Sequence, residues 1–495
     1  MLDLRDESDA HVRERIFDRK RSAAGSCLGT MRRRCGAGAE LNDGTVPAGS
    51  LPAAAEAQPW PSAGRAWYCV TLLGMTVLTL FGSVQVVGLL TQSIKHDLAL
   101  SDTQVSLVVG LASALINALL SLPISRLVDR LSRRMIMGIG LLVVGVGSIF
   151  TAISSGFSQI FAARLFAGAG GAGNGPAAYS LLADYFPPAK LPRAIAFMNF
   201  GFTSGNGLAL LLGGALIGVL AKLGNVTLPV FGELHGWQLV FLILAVPDLV
   251  LGVLLLTTMH EPVRRGRTMD SVGKAAPVGT VFRYLWTHRA AFGPMFGGLA
   301  LNSLALGTLP WVAPFFERTH GWSPAQYGII FGFVYLLIAP LGLTFGGLLA
   351  ERWAKQGRDD ANLRVVAVAA LLHMPFAILY PLMPTPYLAL VLLSFNTVLI
   401  LIGAGPQNAA LQVIVPNEMR GQVTALFLTI FTLIGFGIGP TVVALITDYV
   451  FNDESKLRYS IALMNGVLAP GAAILFWSGL RAYGRAFAET RTWHT

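Results

Sequence analysis

Ionisable residues inside long apolar runs are the first candidates for chemistry in this chain. Arg164, Asp248 and His373 each lie in a stretch of roughly 20 residues that carries little other charge. A charge at the centre of a membrane costs roughly 2.5–3.5 kcal/mol on insertion scales, so these side chains should face protein or water. Arg164 is a candidate for binding an anionic group, and Asp248 and His373 are candidates for proton coupling.

Each of these residues also has a structural alternative. Arg164 could extend to the membrane interface, as long basic side chains do. Asp248 could stay neutral and bond to backbone carbonyls that Pro247 leaves without a donor. A lone histidine such as His373 often serves packing alone.

Uncharged polar and aromatic residues inside the apolar runs form a second set of candidates, for contacts with a bound solute. An amide in a membrane needs a partner, which it finds in a cavity or on another helix, and both roles remain open. The set is Ser83, Gln85, Asn174, Asn302, Trp311, Asn396 and Gln407.

The elements that would position these residues are membrane-spanning helices. The chain has 495 residues, 54% of them hydrophobic and 13% charged, which is too apolar for a soluble domain of this length. Twelve apolar runs are long enough to cross a bilayer. They lie near 66–91, 103–126, 134–154, 158–183, 192–220, 237–258, 290–314, 325–350, 364–383, 386–413, 420–448 and 459–482.

The loops between these runs differ in basic charge, which predicts their orientation. Seventeen Lys and Arg residues fall in one alternate set of loops and five in the other, so the rich set, with both termini, should be cytoplasmic. The net charge of +10 then reflects contact with anionic lipid headgroups and gives no reason to expect nucleic acid. We expect an integral protein of the plasma (inner) membrane, and a monomer.

A repeated pattern indicates that the chain has two similar halves. Ser101 with Gln104 begins one span, and Ser323 with Gln326 begins another 222 residues later; each pair can cap a helix start. An acid-Arg pair follows 28 residues after each serine, as Asp129-Arg130 and Glu351-Arg352. The predicted fold is therefore an all-α membrane protein with two pseudo-symmetric six-helix bundles facing a central cavity.

The repeat also fixes the expected domains. Residues 1–65 should be a disordered cytoplasmic tail, 66–258 the first bundle, 259–289 a cytoplasmic linker, 290–482 the second bundle and 483–495 a cytoplasmic tail. The three cysteines imply no disulfide framework. The histidines show no metal-ligand spacing, and the chain lacks a nucleophile elbow and a phosphate-binding loop. We therefore expect no enzyme, metal or cofactor.

Two motifs resemble signatures of the major facilitator superfamily. The loop Ser125-Arg-Leu-Val-Asp129-Arg130-Leu-Ser-Arg133-Arg134 resembles the motif between its helices 2 and 3, with Ser125 in place of the usual glycine. The segment Arg164-Leu-Phe-Ala-Gly-Ala-Gly170 resembles its helix 4 signature. The resemblance implies a conformational gate at Asp129, Arg130, Arg133 and Arg134, with Glu351 and Arg352 as the weaker repeat. An ordinary positively charged loop is the alternative.

Further strings narrow the resemblance to the spinster-type branch. They are Ser101-Asp-Thr-Gln104, Pro176-Ala-Ala-Tyr-Ser180, Asp184-Tyr-Phe-Pro187 and Pro416-Asn-Glu-Met-Arg-Gly-Gln422. That branch is linked to lysolipid and sphingolipid-like substrates and often to proton coupling. This chain departs from it, because Ser83 and Val84 stand where helix 1 usually carries Asp-Arg, and Gly171 stands where helix 4 usually carries Glu.

The sequence thus predicts secondary transport, active or facilitative, of a small amphipathic organic solute, lipid-like or an organic anion, by alternating access. A drug or metabolite efflux antiporter of the same superfamily is one alternative. A membrane-embedded sensor that binds a ligand without transport is an alternative from another class.

Overall fold

The structure, a computed structural model, describes residues 60–187, 190–229, 232–264 and 277–490. Most of the expected N-terminal tail, part of the linker and the last five residues lie outside the described residues.

Six helical spans form the first bundle, and two of them are interrupted. They are α1 (Ala63–Asp97), α2 (Asp102–Ser106, a π-helical turn Leu107–Leu111, and Ala112–Arg130), α3 (Arg133–Ala152), α4 (Phe157–Gly171 and Asn174–Tyr185), α5 (Leu191–Leu223) and α6 (Gly236–Thr257). A short antiparallel hairpin of β1 (Val226–Leu228) and β2 (Gly232–Leu234) joins α5 to α6.

Six further spans form the second bundle, after a linker helix Val278–Thr287. They are α7 (Arg289–Leu306 and Leu309–His320), α8 (Pro324–Lys355), α9 (Ala361–Leu379 with a 3-10 turn Tyr380–Leu382), α10 (Pro386–Val413), α11 (Asn417–Ile430, Phe431–Ile438, Gly439–Leu445 and Ile446–Phe451, the second and fourth π-helical) and α12 (Leu457–Thr490).

Eleven of these spans within the described residues are long and apolar enough to cross a membrane. The twelfth, α4, is divided by a turn at Ala172 and Gly173, and neither piece alone is long enough. The predicted all-α fold with two six-helix bundles is confirmed. The first span, α1, begins at Ala63, before its predicted apolar run, and the last span, α12, continues to Thr490, beyond its predicted run.

Local capping fixes where the second span of each bundle begins. The Ser101 hydroxyl accepts from the Gln104 N–H at 3.1 Å, and the Gln104 side chain accepts from the Ser101 N–H at 3.0 Å. The same reciprocal pair forms between Ser323 and Gln326. Both helix starts therefore have satisfied amides, as the spacing of Ser and Gln predicts.

The two bundles share a hydrophobic core at one end only, as far as the described residues go. One cluster of buried side chains joins Val86 of the first bundle to Phe331 of the second. Three other clusters each stay within one half of the chain, one between Ala66 and Met259 and two between Val281 and Ala486. We call the end with the shared core the sealed end, and the opposite end, near loop 131–132, the open end.

Candidate functional site

Four charged side chains join the bundles at the sealed end, and we call them the seal cluster: Lys95, Asp102, Arg318 and Glu454. Asp102 is fully buried, and its two carboxylate oxygens accept from Arg318 at 2.7 Å and from Lys95 at 2.5 Å. Lys95 also lies 2.6 Å from Glu454. Lys95, Arg318 and Asp102 are buried and Glu454 is exposed, so one buried and one exposed carboxylate together offset the two buried cations.

A second group of contacts links α2 to α11 beside the seal cluster. The Asp448 carboxylate accepts from the Thr103 N–H at 2.8 Å and from the Thr103 hydroxyl at 2.7 Å. The Ser106 hydroxyl donates to Thr441 at 3.3 Å. Because the capped start of α2 presents these groups, the helix terminus acts as one half of the interbundle contact.

Glycines let the bundles approach closely at this end. A Cβ on Gly332 of α8 would meet the backbone nitrogen of Leu211 and lie 2.9 Å from the Gly207 carbonyl oxygen of α5. A Cβ on Gly110 of α2 would lie 2.5 Å from the Phe436 carbonyl oxygen of α11. Side chains at these positions would hold the helices apart.

The same helices separate toward the open end. Phe200 lies seven residues before Gly207 on one face of α5, yet Phe200 is 59% exposed, whereas Gly207 contacts Leu336 of α8. On α1, Gly88 contacts Pro310, but Val84, four residues earlier, is 39% exposed. The gap between the bundles therefore widens away from the seal cluster.

At the open end, the side chain of Arg133 forms ion pairs with acids of its own half of the chain. Its guanidinium is 1% exposed, donates to Glu261 at 2.8 Å and pairs with Asp184. Burial acts to raise the pKa of Glu261, but hydrogen bonds from Arg133, Arg134 and Ser132 hold that pKa below its ordinary value. This network fixes the ends of α3, α4 and α6 to one another.

The other expected gate residues take local positions. Arg134 donates to the Met259 carbonyl oxygen at 2.8 Å, and Glu351 pairs with Lys355 one turn along α8 at 2.6 Å. Arg130 and Arg352 are exposed, and the side chain of Asp129 lies outside the described ones. Their gating role therefore stays a prediction.

Arg164 lies in the interior of the first bundle. It is 7% exposed, with its guanidinium carbon 5.9 Å from the centre of the Phe241 ring on α6. Its Nε has no hydrogen-bond partner, and no carboxylate within the described residues forms an ion pair with it.

Asp248 is fully buried in α6 after Pro247. Neither carboxylate oxygen has a hydrogen-bond partner. The Thr79 hydroxyl of α1 lies near this carboxyl group but donates to the Thr76 carbonyl oxygen at 3.2 Å. The backbone-bonded alternative predicted from Pro247 is therefore not the arrangement seen.

Two of the candidate amides line a small pocket inside the second bundle together with His373. Asn302 and Asn396 belong to it, between α7, α9 and α10.

Trp311 is 1% exposed and donates from Nε1 to the Pro440 carbonyl oxygen at 2.9 Å.

The remaining candidates differ in their burial and in their hydrogen bonds. Asn174 donates to Gly170 at 3.1 Å within α4. Gln407 is 8% exposed and its Nε2 has no partner. Ser83 and Gln85 are half-buried on α1.

Sequence reasoning missed the seal cluster. Lys95 and Arg318 counted as basic residues of the opposite loops, and Asp102 as part of a cap. The available signal was the recurrence of acids beside these bases at the same ends of several spans, as with Asp448 and Glu454.

Two bundles sealed at one end and separated at the other define a membrane carrier with a central pathway. The match to the Major Facilitator Superfamily model over residues 71–440 shows that the chain belongs to that family. It is therefore an integral membrane transporter that works by alternating access, as the two motifs predicted.

Known proteins of two kinds are similar to this chain. A bacterial homologue of the human lysosomal transporter Spinster, in an inward-facing unoccupied conformation, matches with a TM-score of 0.70 and 22% identity, over 87% of this chain and 99% of that one. An MFS-type efflux pump of Mycolicibacterium smegmatis is 26% identical over 86% of this chain and 95% of its own length. Puromycin resistance protein pur8 of Streptomyces alboniger is 28% identical over 53% of this chain and 50% of its own length.

Proposed function

We propose that this transporter carries a small amphipathic organic solute through the gap between its bundles. The proposal is based on the side chains that line this gap. Val84 and Phe200 are exposed there, and Asn117, seven residues after the interbundle contact Gly110, is half-buried on the same face of α2. Apolar side chains with an occasional neutral amide suit a solute that is largely apolar with few polar groups.

The positive loops support the orientation. The open end carries Arg130, Arg133 and Arg352, so it should be the cytoplasmic one. The conformation described is then inward-facing, in a monomer of the plasma membrane with cytoplasmic termini. The similarity to an efflux pump and to a puromycin resistance protein favours export as the direction.

Flux of defined probes into proteoliposomes tests the substrate class. We expect radiolabelled puromycin and a short-chain lysophospholipid to be carried, and gluconate, a small polar anion, to be excluded. Transport of gluconate with neither amphiphile would overturn the proposal. Saturable binding without flux of any probe would favour a sensor.

An organic anion is the second candidate, and Arg164 is the observation that favours it. The guanidinium is buried, forms no ion pair with a carboxylate of the described residues and lies over an aromatic ring, an arrangement that suits a forked contact with an anionic group. An amphipathic solute whose polar part is an anionic headgroup would fit both candidates.

Replacing Arg164 by lysine is expected to lower the rate of probe transport at least about tenfold while the protein still folds. Lysine keeps the charge but loses the planar fork and most of its stacking on Phe241. The measurement is probe flux in proteoliposomes, with protein yield and melting temperature as the folding check. Flux at the wild-type rate would remove Arg164 from the pathway.

Asp248 is expected to couple transport to protons. A buried carboxyl group without hydrogen-bond partners can exchange a proton when the pathway admits water, and the substitutions at Ser83, Val84 and Gly171 leave few other acids for the task. Asp248→Asn should abolish probe accumulation driven by a pH gradient and leave probe exchange intact.

Two outcomes would distinguish the alternatives to proton coupling through Asp248. Accumulation that survives Asp248→Asn would point to His373. An accumulation ratio in the wild type that ignores an imposed pH gradient would show a facilitator, in which no residue couples protons.

A further inference from the structure

A large pocket at the sealed end has no role in the pathway described above. It has a volume of about 500 Å³ and lies between the ends of α1 and α5 and the start of α6. Sites for small molecules measure roughly 300–1,000 Å³, so this pocket has room for a whole organic molecule. Its apolar lining consists of Leu90, Ile217, Leu220, Ala221, Trp237 and Val240.

Both bundles contribute to this pocket. Glu317 of α7 completes a lining that otherwise belongs to the first bundle. Gln92 of α1, another lining residue, accepts from Arg318 of the seal cluster at 2.7 Å. Separation of the bundles at this end would break the contact between Gln92 and Arg318 and would withdraw Glu317 from the pocket. The complete pocket therefore exists only while this end is sealed.

The charge of the lining indicates which kind of molecule fits. Two carboxylates line the pocket, Asp97 and Glu317, and the described lining contains no Lys or Arg. Asp97 accepts from the Trp237 indole at 2.8 Å and lies 3.4 Å from both His96 and His235. A histidine is ordinarily neutral at about pH 8, so the lining is then negative.

The carboxylate of Glu317 has no cation of its own. The residue is half-buried, and its Oε2 is buried without a hydrogen-bond partner. The neighbouring Arg318 forms its ion pairs with Asp102 and Glu454. A positive charge that enters the pocket would therefore stabilise this carboxylate. Within the described residues no group of three acids or histidines could hold a metal ion, so an organic cation fits better.

We propose that this pocket binds one organic cation with an apolar body, and that the bound cation holds the sealed end closed. A ligand that contacts both bundles binds the sealed conformation more tightly than the unsealed one, so it shifts the population toward the sealed one. The pocket lies apart from the gap at the open end, so the proposal does not depend on which solute the transporter carries.

Binding of tritiated benzyltrimethylammonium to the purified full-length protein in lipid nanodiscs at about pH 8 tests the site. This ion has a fixed positive charge and an aromatic body. Scintillation proximity should show one saturable site per chain. Benzylsulfonate, which has the same aromatic body and the opposite charge, should compete at least about tenfold more weakly than the unlabelled cation. No saturable binding, or equal competition by the two ions, would overturn the proposal.

Matched variants connect the binding to this pocket. Glu317→Gln keeps the shape of the side chain and removes its charge, so it should weaken binding at least about tenfold, because charge contacts are strong in a partly buried site. Asp453→Asn removes an acid from an exposed position beside Glu454, outside the pocket, and should leave binding unchanged. Equal affinity in these two variants would place the site elsewhere and overturn the assignment.

The effect on conformation is measured separately. Leu131 and Glu418 are exposed positions of the open end, one in each bundle, and spin labels there do not touch the pocket. Saturating benzyltrimethylammonium should enrich the population in which these labels are far apart at least about twofold over the same concentration of benzylsulfonate. A distance distribution that does not respond to the bound cation would overturn its role in holding the sealed end closed.

Discussion

Replacing Asp102 by asparagine is expected to open the sealed end. The substitution leaves Lys95 and Arg318 buried with one carboxylate in place of two, and breaking a buried ion pair costs about 3–5 kcal/mol. A loss of that size changes the ratio of sealed to unsealed molecules by more than about a hundredfold. The opening of the sealed end is measured with a cysteine introduced at Thr91, which is 1% exposed. In a variant without other cysteines, the rate of alkylation by a membrane-impermeant maleimide reports access to this position.

The matched control for Asp102 is Asp360→Asn. Asp360 pairs with Arg364 at 2.6 Å one turn along α9, in a partly exposed position, and such pairs contribute about 0–1 kcal/mol. We expect no change in alkylation of the Thr91 position. If Asp102→Asn left this position as unreactive as Asp360→Asn does, the seal cluster would not hold the bundles together.

Substitution of Gly332 by alanine is expected to have a comparable effect by a different route. A Cβ there would meet the backbone of Leu211 and Gly207, which cannot move aside as a flexible side chain could. The sealed conformation should therefore be strained, and probe flux should fall at least about tenfold because one step of the cycle is blocked. The flux assay in proteoliposomes measures this directly.

Gly347→Ala is the control on the same helix. A Cβ at Gly347 would have no atom within 4 Å, so both helix propensity and space allow it. Wild-type flux in Gly347→Ala with low flux in Gly332→Ala supports a tight α5–α8 contact. Equal flux in both variants would contradict it.

Features that depend on neighbouring residues could be predicted from the sequence. Apolar runs gave the spans, because crossing a bilayer imposes length and hydrophobicity on each helix separately. The Ser-Gln pairs at 101 and 323 gave two helix starts, because a capping box involves only four consecutive residues. The division of α4 at Ala172 and Gly173 was not predicted, because the apolar run near 158–183 continues through it.

The seal cluster could not be predicted in this way. Asp102 and Arg318 are 216 residues apart in sequence, and their contact depends on how two bundles pack, which no local pattern encodes. The positions of Asn302 and Asn396 could not be predicted for the same reason. Both lie in apolar runs, but the way each helix packs places them in the pocket of the second bundle.

Distances between spin labels at the two ends of the molecule test the central claim most directly. Labels at His96 and Ser455 report the sealed end, and labels at Leu131 and Glu418 report the open end, all on exposed positions. Pulsed electron paramagnetic resonance in lipid nanodiscs should show two populations, one with the first pair close and the second apart, and one with the reverse. Asp102→Asn should shift both pairs together toward the second population. Distances that stay in one population, or that change at one end without the other, would contradict alternating access between these two seals.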